Sequence, residues 1–152
     1  MKKTYPFLFL AFYAFSLSSC ALSAVSTQHT VVNTTGEIVN LNSLGNGKVL
    51  LYNGAGFFNK IDNTARVNVW IDGLAVGQIR VGEYVVVFLN PGKHTVKIEH
   101  IDMVKMRSEH EIEVLGDTKV IEVKPTITSN KATVVNELPS NFERYRQMPK
   151  RN

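Results

Sequence analysis

VNVWIDGLAVGQIRVGEYVVVFLNPGKHTVKI, Val67 to Ile98, is the stretch whose reading decides the fold. Val67, Val69 and Ile71 alternate with Asn68, Trp70 and Asp72, the period of a half-buried strand. Asp72-Gly73 is a turn pair, and Asn90-Pro91-Gly92-Lys93 is a second turn. Pro91 presets its own φ, and Gly92 accepts the positive φ that such turns require. Between the turns, Leu74 to Arg80 forms one strand and Tyr84 to Leu89 another. The run YVVVFL is apolar at every position, which predicts a strand covered on both faces.

Outward from this stretch the pattern continues. Lys48 to Asn53 (KVLLYN) is a strand ended by Gly54-Ala55-Gly56. His94 to Ile101 alternates, with Val96 and Ile98 on one face and Lys97 and Glu99 on the other. Ser108 to Leu115 alternates again, with Glu109, Glu111 and Glu113 outward, and Gly116-Asp117 turns into Thr118 to Lys124. Strands about ten residues apart with Gly and Pro turns predict an all-β fold. The expected form is a small antiparallel β-sandwich or barrel of about 7–8 strands over residues 47–136, with a flexible N-terminal spacer and a short C-terminal helix.

The composition sets limits. One domain fits 152 residues. Charged residues make up 20%, below the roughly 25% of ordinary globular chains. Removing Lys2 and Lys3 from a formal charge of +4 leaves about +2, too mild to argue for nucleic acid. The single cysteine rules out an internal disulfide.

Residues 1–19 read as a signal peptide: Lys2 and Lys3, then the apolar run Pro6 to Leu17, then small residues. Leu17-Ser18-Ser19-Cys20 resembles the bacterial lipobox. That resemblance implies cleavage between Ser19 and Cys20 and acylation of the Cys20 thiol, palmitate included. Ala21, where an aspartate would imply retention in the inner membrane, points to the outer membrane, with the domain facing the periplasm. Residues 20–46 are rich in Ser, Thr, Asn and Gly without sustained period, the composition of a spacer, although Thr30 to Val32 and Glu37 to Leu41 could form short extended pieces.

Residues 137–152 change character. Ser140 and Glu143 have capping-box spacing, which predicts a helix with Phe142 and Tyr145 on one face and Arg144 opposite. So short a helix must dock to persist. The last residues, from Pro149, read as disordered. Phe142, Arg144, Tyr145 and Arg146, with Lys150 and Arg151, are candidates for binding a partner protein, peptidoglycan or anionic lipid, because aromatic rings and arginine carry interface energy. Trp70 is a further candidate. It lies on the polar side of its strand, and the favoured reading packs it against a second layer.

The order Val69-Trp70-Ile71-Asp72-Gly73, Gly77, Gly82-Glu83-Tyr84, Pro91-Gly92-Lys93-His94, Leu115-Gly116-Asp117 resembles the DUF2846 family of bacterial envelope lipoproteins. PGKHTVKI is also similar to PEGA-type surface modules, which are small β-sandwiches. The resemblance spans about Lys48 to Lys124, rests mostly on turn residues, and implies a fold without assigning an activity.

Catalytic and metal chemistry find little support in the spacing. Glu109, Glu111 and Glu113 share one strand face, whereas glycoside hydrolysis needs carboxylates opposed across a cleft. His110 with Ser108 or Asp102 lacks a nucleophile elbow. His100, Met103 and Met106 could offer a soft Cu(I) site, but a hairpin with methionines on the sheet edge is the better reading. The expectation is no enzyme, no catalytic residue, no metal and no cofactor. The expected role is an outer-membrane lipoprotein acting as a non-enzymatic structural or protein-interaction module in the cell envelope. Its expected partners are the membrane, through the anchor, and an envelope protein, with no nucleic acid and no small-molecule substrate. The alternative is a small periplasmic inhibitor, its loop carrying Phe57 and Phe58, or an accessory subunit of an envelope enzyme or secretion complex.

Overall fold

The computed structural model describes residues 22–56, 65–101 and 105–151. Cys20 and the signal peptide, Phe57 and Phe58, and Met103 lie outside the described residues. Ten strands run in chain order: β1 (Val31–Val32), β2 (Lys48–Asn53), β3 (Val67–Ile71), β4 (Leu74–Ile79), β5 (Glu83–Phe88), β6 (Gly92–Ile101), β7 (Lys105–Val114), β8 (Val120–Pro125), β9 (Asn130–Val134) and β10 (Arg146–Gln147). Among the described residues they form two sheets, and no barrel closes. One sheet has the order β4-β3-β6-β7 and is wholly antiparallel. The other runs β5-β2-β8-β9, with β1 and β10 both on the outer edge of β5.

The second sheet holds two parallel pairs, β2 with β8 and β10 with β5. The chain enters β8 from β7 in the opposite sheet, so it does not have to fold back as a hairpin. Parallel neighbours need a crossover of this kind.

The core between the sheets follows from alternation. Val67, Val69 and Ile71 meet Val49, Leu51, Val85 and Val87, all fully buried. The apolar run of β5 is covered on both sides, as its sequence predicts. Val85 and Val87 face the sandwich, while Tyr84 and Val86 face a second cluster on the far side of the same sheet. That cluster also holds Leu44, Leu50, Tyr52 and Val120, and is roofed by Leu41, Leu138, Phe142 and Tyr145. Each apolar side chain buried here contributes about 1.5–3 kcal/mol relative to exposure.

The roof is supplied by the segments expected to be loose. Residues 22–46 do not hang off the domain as a spacer; they wrap it. Leu22 is 5% exposed, Gln28 and His29 donate their amides to the Ala75 carbonyl, and β1 pairs with β5 at Val86 and Val87. Asn40 then caps a 3-10 turn over Leu41–Ser43: its side chain accepts from the Ser43 amide, and Ser43 Oγ accepts from the Asn40 amide. Composition misleads because few residues of the strap are apolar. Its ordering comes from hydrogen bonds to strand edges and from isolated anchors at Leu22, Val31 and Leu44.

The C-terminal helix is likewise replaced. Phe142–Arg144 is a single 3-10 turn entered from Asn141 at φ 60°, and β10 follows. In a box capped by Ser140, Asn141 would be the first helical residue; its left-handed backbone breaks that turn, so the Ser140–Glu143 box does not form. Burying Phe142 against Tyr84 and Tyr145 against Tyr52, with centroids 5.1 and 5.9 Å apart, takes precedence over local capping. The end of the chain is ordered too: Met148 inserts into the sandwich core, and Arg151 is anchored on β4 and β5.

Candidate functional site

The two terminal segments meet on β4 and at the start of β5. Gln78, buried on the outer face of the four-stranded sheet, donates from Nε2 to the Leu22 carbonyl at 3.1 Å. Beside it, Asn68 Nδ2 donates to the Ser23 carbonyl at 2.8 Å. The main-chain carbonyl of Gln78 accepts from Arg151 Nη1 at 2.5 Å, and its Oε1 accepts from Arg80 Nε at 3.4 Å. One residue therefore holds both ends of the described chain.

Five residues on, Glu83 has a side chain only 1% exposed. Arg151 Nη2 donates to both of its oxygens, at 2.6 and 2.8 Å, Arg146 Nη2 reaches Oε1 at 3.3 Å, and the Arg80 amide donates to Oε2 at 3.0 Å. A carboxylate this deep requires such a set of partners. Three guanidiniums gather round the one carboxylate. Burial and then the neighbouring Arg151 and Arg66 hold the Arg80 guanidinium below its ordinary pKa. Arg146 keeps 71% of its side chain in solvent, so this rim presents positive charge outward.

Sequence reasoning marked Arg146 and Arg151 but missed Leu22, Gln78 and Glu83. Glu83 left one signal: a lone acid heading a run apolar on both faces, where only a paired charge can sit. A cleft of about 670 Å³ adjoins the junction, lined by alternate strap residues Thr27, His29, Val31, Asn33 and Thr35 and by Gln147 to Lys150.

The other candidates fall elsewhere. Phe142 and Tyr145 are turned inward onto the six-stranded sheet, and Arg144 is exposed beside them. Trp70 faces away from the second sheet. It registers with Lys97 on the outer face of the four-stranded sheet, half-buried, with the Lys97 ammonium 5.2 Å from its ring centroid. β3 gives its inner face to Val67, Val69 and Ile71, which leaves the ring on the outer one. The structure does not bring Trp70 and the tail candidates into one site.

The remaining chemistry-bearing groups are tied into the scaffold. His94 and Asp72 join the two turns of the opening stretch: Asp72 Oδ2 lies 2.6 Å from His94 Nδ1, the Asn90 carbonyl lies 2.7 Å from Nε2, and Asp72 Oδ1 accepts from the Thr95 amide. His100 is buried against Asn130 Oδ1 at 2.6 Å. Glu99 is held by Arg107 at 2.6 Å and Lys105 at 3.4 Å. Glu109, Glu111 and Glu113 are exposed, with Lys93 paired to Glu111 at 2.7 Å. Ser108 Oγ lies 2.9 Å from His110 Nε2, but among the described residues no carboxylate orients the far side of that ring. Among the described residues no group of three or more His, Cys, Asp or Glu side chains is placed to hold a metal. Comparison of the chain with family models, with curated proteins and with solved structures finds no match.

Proposed function

We propose that this chain is a lipid-anchored protein of the bacterial outer membrane, whose β-sandwich is a non-enzymatic structural or protein-interaction module facing the periplasm. The observation that carries this reading is the chain's path at its amino end. The lipobox-like Leu17–Cys20 ends two residues before Leu22, which is buried against the four-stranded sheet. An acyl anchor at Cys20 and a folded body starting at Leu22 make one continuous design, with no free tether between them. Supporting it, the buried acids Glu83 and Glu99 are paired with arginine, and His94 and His100 are hydrogen-bonded across turns and strands. These groups build the scaffold. Among the described residues, the Trp70–Lys97 surface and the strap–tail cleft are candidate faces for a partner.

The test is fractionation of a Cys20→Ala variant. The wild-type chain is expected to stay with membranes through a high-salt wash, because multiple acyl chains hold a protein stably. The variant is expected to become soluble with unchanged circular dichroism. Retention of the variant after that wash would overturn the anchor.

A further inference from the structure

We propose that the basic rim at the junction of the two termini is the membrane-facing surface of the anchored protein, seated on the phosphates of anionic phospholipids. The proposal rests on the lipid-anchor reading of Cys20 and adds an orientation and a ligand class to it.

The reach of the chain sets the orientation. Leu22 is fixed by burial and by Gln78, and Ser23 by Asn68. From Cys20 to Leu22 the chain spans at most about 7 Å. The headgroup layer of each leaflet is itself about 5–7 Å deep. An acylated Cys20 therefore holds the Gln78–Asn68 end of the sandwich at headgroup level, and no other end of the molecule can replace it there.

That same end is basic. Arg80 and Arg151 touch Gln78 directly, and Arg146 and Arg151 converge on Glu83. Pairing across the four-stranded sheet places Asn68 beside Glu99 and Glu99 beside Arg107, with Lys105 one step further toward the rim. At the far end of the same sheet, Thr95 pairs with Glu111 and Lys93 with Glu113. Charge is thus polarised along the strands, positive at the end that the anchor brings to the bilayer and acidic at the end directed away. Guanidinium forks match phosphate oxygens in bidentate geometry. Among the described residues, Tyr84 beside Glu83 and Phe142 and Tyr145 beside Arg146 belong to the second core, so there the rim offers charge and not the apolar anchors of a protein interface.

Trp70, the chain's one tryptophan, supplies the probe. The acylated protein is reconstituted into phosphatidylcholine vesicles containing phosphatidylglycerol, with a trace of pyrene-labelled phosphatidylglycerol or of pyrene-labelled phosphatidylcholine. Energy transfer from Trp70 is expected to be at least about twofold stronger to the labelled anionic lipid, because basic groups near the surface gather it. The preference is expected to vanish in about 0.5 M salt, where screening shortens to a few ångströms. It should vanish also in an Arg80→Ser/Arg146→Ser variant that leaves the Arg151–Glu83 pair in place, and persist in Arg80→Lys/Arg146→Lys. Equal transfer to both lipids in the wild type overturns the proposal, as does a Ser variant that keeps the preference with an unchanged near-ultraviolet spectrum. Loss of the preference on adding inorganic phosphate at matched ionic strength also overturns it, by assigning the rim to soluble phosphate. The anchor is read separately. Failure to float with vesicles of phosphatidylcholine alone sinks the lipoprotein reading, whereas flotation without lipid preference sinks only the rim.

Discussion

His94 has acceptors on both ring nitrogens, the Asp72 carboxylate on one side and the Asn90 carbonyl on the other. Only the imidazolium can donate to both at once. Burial alone would lower the His94 pKa, but the Asn90 and Asp72 bonds outweigh it and raise the pKa above the ordinary 6.5. For Asp72, burial would raise the pKa, and the His94 bond, the Thr95 amide and the charges of His94 and His29 hold it below the ordinary 3.8. The sign follows for each group. Stability from His94 is fully present below 6.5 and is lost as pH rises through its elevated folded value; stability from Asp72 is present above 3.8 and is lost as pH falls through its depressed value. The pair therefore contributes most between about pH 4 and 6.5. His94→Gln is expected to lower the melting temperature clearly at pH 5.5 and little at pH 8.5; an equal loss at both would show that the residue acts only through shape. Glu83 is the second decisive residue. Its carboxylate is buried and Arg151 is its two-pronged partner, so Arg151→Ala leaves it with the exposed Arg146 and one amide. Breaking a buried pair from one side costs about 3–5 kcal/mol, and the surviving partners place this case near 3. Urea unfolding at constant slope measures it.

At the scale of elements, β4 touches both terminal segments, through Ala75 to the strap and through Gln78 to Arg151. Gly77 sits at φ +134°, and a Cβ there would lie 2.8 Å from Met148 Cε and 3.1 Å from Thr27 Oγ1. Gly77→Ala is expected to cost about 1–3 kcal/mol, since the positive φ strains any residue with a Cβ and the Met148 side chain must shift to make room. Met148→Ala removes the tail's one insertion into the sandwich core and is expected to cost about 2–5 kcal/mol. Both are read from denaturant midpoints. The elements that sequence alone makes legible are those whose burial follows their own period. Val67–Ile71, Leu74–Ile79 and Glu83–Phe88 fall within a residue of their expected bounds, because alternating or continuous apolar side chains and the turns at Gly73 and Gly92 specify them locally. β9 and β10 were not legible, and β1 was legible only as a short extended piece over Thr30 to Val32. β1 and β10 have only two residues each, and in Asn130–Val134 the alternation of Ala132 and Val134 with Lys131 and Thr133 is too short and too weakly apolar to stand out. Such strands exist because an edge already formed by β5 or β8 offers them partners. The expected tail helix fails for the same reason in reverse: its capping signal is local, and the slots beside Tyr84 and Tyr52 that override it are not.

At the scale of the molecule, strap and tail change what the sandwich is. A sheet ending in β5 would leave an open edge, a hazard for pairing with another chain. Here β1 covers Val86 and Val87 and β10 covers Glu83 and Tyr84, so segments from opposite ends of the chain close one edge between them. The Gln147 side chain ties the two together: its Oε1 accepts from the Thr34 amide and its Nε2 donates to the Val32 carbonyl. This layout predicts that strap and tail unfold with the core and not before it. The amides of Gln28 and His29, bonded to the Ala75 carbonyl, and those of Arg146 and Met148, bonded to Gly82 and Tyr84, are expected to exchange hydrogen as slowly as those of β2. Arg151→Ala should accelerate exchange at Arg146 and Met148 first, since the clamp on Glu83 is what holds the end of the tail in register. Exchange of residues 22–32 at the rate of free chain would mean that the strap is a tether after all. The domain would then float off the bilayer, and the reach argument that seats its basic rim on the headgroups would fall with it.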